Sequence, residues 1–358
     1  MKKKAWIAVI CSITTVMLMV LFVVCIKKHF STQMQALEHP MSEQNMKLTI
    51  DSELQEFSGE LMAGKMGCIV ALEPSTGEVL CMVSSTSFNQ CVMGQYSPGG
   101  VFRAVQSLIF LSEDIITPET YYPCEKGFKH HGIRVDCHAH ASPLSLKDAL
   151  RTSCNGYFCW GYRDMMQNAK YGSAQNALEK WREYALSLGF GQRLGIDLPG
   201  EKRGLIPSAE YYDMLFDGHW SALTNLSNAV GLGEIIVTPL QLANLSATIA
   251  NRGHYFTPHV VKKIQDVSID EKYTSVHFTK IKRDAYDTII DALRSSDSWG
   301  ISGMISRNEK VHCSYIGFAP IDNPEIAIAV YVENCGMEGQ VAAPIGEAVM
   351  EKYLNINN

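Results

Sequence analysis

The sequence predicts a mixed α/β domain, a sheet with helices on both faces. Three observations lead there. Two β-rich runs, 67–73 and 78–84, flank the turn Pro74-Ser75-Thr76-Gly77 and read as a hairpin. A second strand pair, Val311 to Phe318 and Glu325 to Glu333, is joined at Pro320-Ile-Asp-Asn-Pro324. Between the two pairs lies a run of helical period that is apolar nearly all round, with Val101, Val105 and Leu108 on one line and Phe102 and Ile109 around the rest. A helix of that kind is buried, so it is expected to form the centre of the domain, its first turn opening on a cleft at Tyr96-Ser97-Pro98-Gly99-Gly100.

The remaining elements follow in order. Asp51 to Ala63 is helical, and Tyr121 to His140 is an irregular stretch rich in Cys and His. Ser145-Leu-Lys-Asp148 has the form of a capping box and opens a helix that ends near Arg151-Thr152. Another helix begins at Gly156 and carries four aromatics by Tyr162; Trp181 to Leu188 is helical and stops at Gly189, and Gly195 to Ser208 is loop. Thr238-Pro239-Leu240-Gln241 is a sharp helix start, with a Thr cap, Pro at the first helical position and Gln at the third, and that helix runs to Gly253. Asp284 to Leu293 and Gly346 to Tyr353 complete the helices.

A length of 358 residues with 46% hydrophobic content is enough to bury a sizeable core. The net charge of −6, with no basic stripe beyond the N-terminus, argues against nucleic acid as a partner. Residues 5–26 carry no charge and have the roughly 20-residue length of a spanning helix, between Lys2-Lys3-Lys4 and Lys27-Lys28-His29. The expectation is a single-pass, uncleaved anchor: residues 1–4 cytoplasmic, 5–26 in the membrane, 27–47 a polar linker, and 48–358 one domain outside the cytoplasm. A cleaved signal would need a small-x-small site, which Ile26-Lys27-Lys28 is not.

Of eleven cysteines, Cys11 and Cys25 fall in the apolar segment and nine in the body, an odd number. Cys68 and Cys81 read as core thiols. Cys124, Cys137, His140 and Cys154 supply three thiolates and an imidazole, a set suited to a tetrahedral structural zinc ion. Their spacing is not a finger signature; His138, His130 or His131 could replace His140, and a Cys124–Cys137 disulfide is the alternative. Asp197, Glu201 and Thr238 read as turn and capping residues, not as an acid pair.

Taken together, Thr49-Ile-Asp51, Ala71-Leu72 with Thr76-Gly77-Glu78, Tyr96-x-Pro-Gly99, Ser153-Cys-Asn155 with Tyr157-Phe158, Gly195-Ile-Asp-Leu-Pro-Gly-Glu201, Val237-Thr-Pro-Leu-Gln-Leu-Ala243 and Ile249-Ala-Asn-Arg-Gly253 resemble the transpeptidase domain of class B penicillin-binding proteins, elongation type. The resemblance covers Leu48 to Leu354, without the N-terminal pedestal of that family. It implies the serine β-lactamase-like fold, with a central antiparallel sheet flanked by helices, a place at the bacterial inner membrane with the body periplasmic, and a role in peptidoglycan synthesis. Some relatives of the elongation type hold zinc in this stretch, which implies Cys124, Cys137, His140 and Cys154 as its ligands; no other cofactor is implied.

The acyl transfer of such enzymes uses S-x-x-K, S-x-N and K-T-G elements: a serine attacks the peptide carbonyl and a lysine one helical turn on takes its proton. Here the first element falls on Gly100 and Arg103, the third on Ile301-Ser302-Gly303, and only the second survives, as Ser153 and Asn155. Glycine has no nucleophile, arginine stays protonated, and the chain contains no Ser-x-x-Lys elsewhere. The expectation is a chain without acyl-transfer chemistry that binds a partner of the elongation machinery or a peptidoglycan stem peptide. The alternative is an active transpeptidase with a displaced nucleophile at Ser97, Cys91 or Cys154.

Overall fold

The computed structural model describes residues 46–264, 269–307, 310–336 and 341–357. The expected anchor at 5–26 and nearly all of the linker lie outside the described residues. No helix among those described is long and apolar enough to cross a membrane.

Helix α1 (Ser52–Met62) leads into strands β1 (Met66–Leu72) and β2 (Val79–Ser84), followed by the buried helix α2 (Phe102–Ser112). The Cys/His-rich stretch is not irregular throughout: it contains a small hairpin of β3 (Gly127–His130) and β4 (Ile133–Asp136). Then come α3 (Leu146–Arg151), α4 (Asn155–Met166), α5 (Ala174–Ser187), α6 (Pro239–Ala250) and α7 (Arg283–Leu293). The chain ends with β5 (Arg294–Ser295), β6 (Ser298–Arg307), β7 (Lys310–Ala319), β8 (Ile326–Glu333) and α8 (Ala342–Asn357).

One six-stranded sheet, in the order β2-β1-β8-β7-β6-β5, organises the body. All its pairings are antiparallel, as the family resemblance implies. The N-terminal hairpin joins the C-terminal one through β1 and β8, from Ala327 opposite Leu72 to Glu333 opposite Met66. Side chains alternate across this sheet as the pleat requires. Ile69 and Ala71 of β1, with Ile326, Ile328, Val330 and Val332 of β8, face a smaller core closed by α1 and α8. Cys68, Val70 and Leu72, with Ala327, Ala329 and Tyr331, face the larger core built on α2, α4 and α6. Burial on both faces explains why these strands read as continuous apolar runs.

Within the larger core, α2 is buried at every position except Leu111. Its Gln106 is satisfied inside: it donates from Nε2 to the Asn228 carbonyl at 2.8 Å and accepts from Trp181 Nε1 at 2.9 Å. Helix α6 is also wholly buried and begins with the expected capping box, Thr238 Oγ1 receiving the Gln241 N–H and Gln241 Oε1 receiving the Thr238 N–H. Asp197 and Glu201 brace loops: Asp197 accepts from the Val260 and Val261 N–H groups, Glu201 from those of Leu194 and Gly195.

Strand β6 and the helix Ala209–Leu215 have no counterpart among the expected elements. Gly300, Ser302, Gly303 and Ser306 hide the β propensity of β6. Helix α5 starts seven residues before the expected Trp181, behind the cap of Ser173, and α8 starts before Gly346. A Cys313–Cys335 disulfide ties β7 to the segment after β8, with Cα atoms 6.1 Å apart; the other seven described cysteines are free thiols, Cys124 and Cys137 among them.

Replacing Gln106 by Leu strands two buried groups, the Trp181 indole N–H and the Asn228 carbonyl. A loss of about 2–4 kcal/mol of stability is expected by denaturant titration, whereas an unchanged midpoint would show that α2 is not anchored through this residue.

Candidate functional site

A cleft of about 290 Å³ opens where three elements meet: the first turn of α2, the edge of β6 and the turn between α3 and α4. Gly100, Arg103, Ser153, Asn155, Ser302 and Gly303 line it, with His138, Val230, Leu232 and Met304 completing the wall. The three sequence elements singled out for their chemistry therefore converge. Ile301 is the exception: it is 4% exposed and belongs to the core with Trp299, two residues before it, and Ile305, four after it.

Gly100 and Gly303 are in contact. A Cβ on Gly303 would stand 2.6 Å from the Gly100 nitrogen, and one on Gly100 would stand 2.9 Å from the Gly303 Cα. The same Cβ on Gly100 would come within 2.4 Å of Arg103 Nη1. The guanidinium thus folds back over the place where a side chain at position 100 would begin. Arg103 Nη2 donates to Asn155 Oδ1 at 2.8 Å, Nη1 donates to the Gly100 carbonyl at 3.4 Å, and Nε has no partner. Burial pushes the guanidinium down to about 10, opposed by the neighbouring thiols of Cys137, Cys154 and Cys159, so it remains a cation at neutral pH.

The turn that carries Ser153 and Asn155 is held by backbone bonds, from Ser153 N–H to the Leu150 carbonyl and from Cys154 N–H to the Ala149 carbonyl. Ser153 sits at φ 53°, a left-handed conformation that costs about 1–3 kcal/mol for a residue other than glycine. Asn155 is bonded on three sides: its Nδ2 donates to the Asp136 carbonyl at 2.9 Å, its Oδ1 takes Arg103, and its backbone N–H points at Cys137 Sγ at 3.3 Å.

Behind this turn, Cys124, Cys137, His140 and Cys154 place their donor atoms within 4.8 Å of one another. Thiolates about 2.3 Å from a tetrahedral Zn²⁺ stand about 3.8 Å apart, so the set fits that ion with little adjustment. Cys137 Sγ lies 3.4 Å from His140 Nε2, while His140 Nδ1 lies 2.7 Å from the Ala141 carbonyl. A carbonyl can only accept, so the proton sits on Nδ1 and Nε2 keeps its lone pair for a metal. His138 lines the cleft, with its Nδ1 3.7 Å from Cys137 Sγ, and His130 and His131 meet edge to face at the tip of the β3–β4 hairpin. Burial raises the Cys137 thiol, but N–H groups of Asn155 and Gly156 with His140 outweigh it and bring it below its usual value. Burial pushes the Cys124 and Cys154 thiols up, a cost that a bound cation would remove.

The other nucleophile candidates are not in the cleft. Cys91 is fully buried, its thiol donating to the Val83 carbonyl at 3.2 Å, and burial pushes it well above its usual range. Cys154 caps α4, accepting from the Tyr157 N–H at 3.3 Å, and neither it nor Ser97 lines the cleft. Val230, Leu232 and Met304 went unnoticed in the sequence because nothing in their spacing ties loop residues to a distant strand. The Arg103–Asn155 pair has no sequence signal either.

A glycine-edged strand laid on the start of a buried helix, with a Ser-x-Asn turn as the third wall, is the cleft of the penicillin-interacting acyl-transferases. The chain belongs to this family: residues 67–351 match the penicillin binding protein transpeptidase domain. It is 27% identical over 383 residues to the peptidoglycan D,D-transpeptidase MrdA of Acinetobacter baumannii, covering 88% of this chain and 54% of that protein. MrdA of Haemophilus influenzae is 23% identical over 377 residues, covering 86% and 56%. The chain thus spans just over half the length of these relatives. Among solved structures, PBP2 of Pseudomonas aeruginosa in complex with WCK 5153 superposes with a TM-score of 0.75 at 26% identity, over 86% of this chain and 78% of that one. The D,D-transpeptidase domain from Eggerthella lenta gives a TM-score of 0.76 at 20% identity, over 87% and 83%.

Gly156 lets α4 approach the Cys cluster, since a Cβ there would meet Cys124 Sγ at 2.7 Å. Gly156→Ala should cost about 1–3 kcal/mol in a denaturant melt; a variant as stable as the parent would mean that helix and cluster are not in contact.

Proposed function

We propose that this chain is a membrane-anchored, periplasmic member of the peptidoglycan transpeptidase family that binds in its cleft without forming an acyl-enzyme. The observation that carries the reading is the fold-back of Arg103. Where the family's chemistry needs an attacking oxygen and a base that can take its proton, position 100 ends at the backbone and position 103 is a permanent cation. Among the described residues no carboxylate lines the cleft, whose charged and polar groups are Arg103, His138, Ser153, Asn155 and Ser302. Such a wall suits a peptide ending in a carboxylate, as a stem peptide does, held without cleavage. Ile301 in the core leaves no strand lysine to support that carboxylate, so Arg103 supplies the positive charge, while His138, which burial and the neighbouring His140 hold below the usual imidazole value, offers a hydrogen bond.

We further infer that Cys124, Cys137, His140 and Cys154 hold a structural zinc ion. The residues fit: four donors of the right type converge, and the His140 tautomer presents its free nitrogen. A metal there supplies rigidity to the cleft wall, and this chain's own groups do the rest: Asn155 orients Arg103, and Ser153 faces the ligand.

Fluorescent penicillin tests the first reading on the full-length chain purified in detergent. The parent is expected to carry no covalent label. Gly100→Ser alone also stays dark, because the new side chain meets Arg103. The Gly100→Ser/Arg103→Lys pair gains partial labelling, limited by the 2.9 Å approach of Gly303 and by Ile301. Covalent label on the parent would end the binding-only reading. For the metal, elemental analysis should find one zinc per parent chain and a loss of about 10-fold or more in affinity in Cys137→Ser; a metal-free parent refilled by no added zinc would refute the site.

A further inference from the structure

Arg103 is 7% exposed, and among the described residues it forms no ion pair. Its hydrogen bonds go to neutral acceptors, the Asn155 amide oxygen and the Gly100 carbonyl, while its Nε has none. A cation held out of water with no counter-charge is strongly destabilising, so a buried guanidinium demands a negative partner. Asn155, which takes its Nη2, leads to sulfurs that can carry one, those of Cys137 and Cys154, and Cys159 also acts on it. Cys159 is nearly wholly buried and its thiol is pushed up, so it stays neutral. Asn155 forms the geometric bridge to the others. Its side-chain oxygen takes Arg103 Nη2 at 2.8 Å, its backbone N–H meets Cys137 Sγ at 3.3 Å, and Cys154 is its chain neighbour.

We propose that Arg103 is the counter-ion of the Cys124–Cys137–His140–Cys154 zinc centre, a positioning residue for the metal in the place where the family's base would stand. The inference rests on the zinc reading given above. Three thiolates around one dication leave a single negative charge, and one guanidinium cancels it. The arrangement gives the substitution at position 103 a positive role. Arginine keeps its charge unconditionally and reaches Asn155 with a planar fork, whereas lysine offers a point charge without that geometry. It also joins the two halves of the site: the group that blocks the cleft at Gly100 is held there by a charge behind the wall.

The test uses the full-length chain, its Arg103→Met and Arg103→Lys variants, and two readouts. The first is the zinc dissociation constant by competition with a chromophoric chelator. Removing the charge is expected to weaken zinc by about 10- to 100-fold, the range for outer-shell partners, and lysine to weaken it less. The second is the melting temperature of zinc-loaded and chelator-stripped protein. Arg103→Met should lower the first and leave the second unchanged or raised, because without metal the arginine is a buried cation lacking a partner. Equal zinc affinity in parent and Arg103→Met overturns the proposal. So does an equal fall of both melting temperatures, which marks a packing role only. A parent that binds no zinc removes the metal reading itself, and is recognised by failing before any variant is compared.

Discussion

Contact between two bare backbones, at Gly100 on the first turn of α2 and Gly303 on β6, sets the geometry of this cleft. With Cβ positions closed off on both sides, the strand can lie against the helix start, and the Arg103 guanidinium takes the place a side chain at position 100 would need. Ser314 Oγ, donating to the Pro98 carbonyl at 3.0 Å, fastens the same junction from β7. The family fold is kept around this point, with glycine at position 100 and arginine at position 103. That combination is what a fold's independence from its activity predicts: packing selects for shape, and function resides in a few side chains placed on it.

Asn155 is the residue through which the parts communicate. It reaches forward to the arginine, sideways to the β4 carbonyl of Asp136, and back with its own N–H to Cys137. A side chain bonded in this way is preorganised, and its neighbours inherit its order. The strained Ser153 next to it is held by a turn pinned at both ends. A rigid wall of this kind serves recognition as well as it serves catalysis, since binding without reorganisation avoids an entropic cost.

Much of this was legible in the residues. The two hairpins, the buried helix and the Thr238 cap announce themselves because each depends on local pattern: period two, period 3.6, and a Thr-Pro-x-Gln start. The antiparallel character of the whole sheet came only through the family resemblance, because β1 and β8 are paired across most of the chain and no local pattern records a partner so distant. Strand β6 escaped notice for a physical reason tied to the site. The glycines that lower its strand propensity are those that let it approach the helix. For the site, the family resemblance pointed to positions 100 and 103, and residue types together with that resemblance pointed to the four metal-binding candidates. They could not reveal that Arg103 leans back over Gly100, that Asn155 links it to Cys137, or that Ile301 turns into the core, since all three are facts of rotamer and register.

The claim at the centre of this account is a single placement, and a crystal structure of the unliganded chain at a resolution that resolves the guanidinium tests it directly. The account predicts density for Arg103 folded over Gly100, with Nη2 about 2.8 Å from Asn155 Oδ1. Density showing the side chain swung out of the cleft, with Asn155 bonded elsewhere and open space above Gly100, would contradict it.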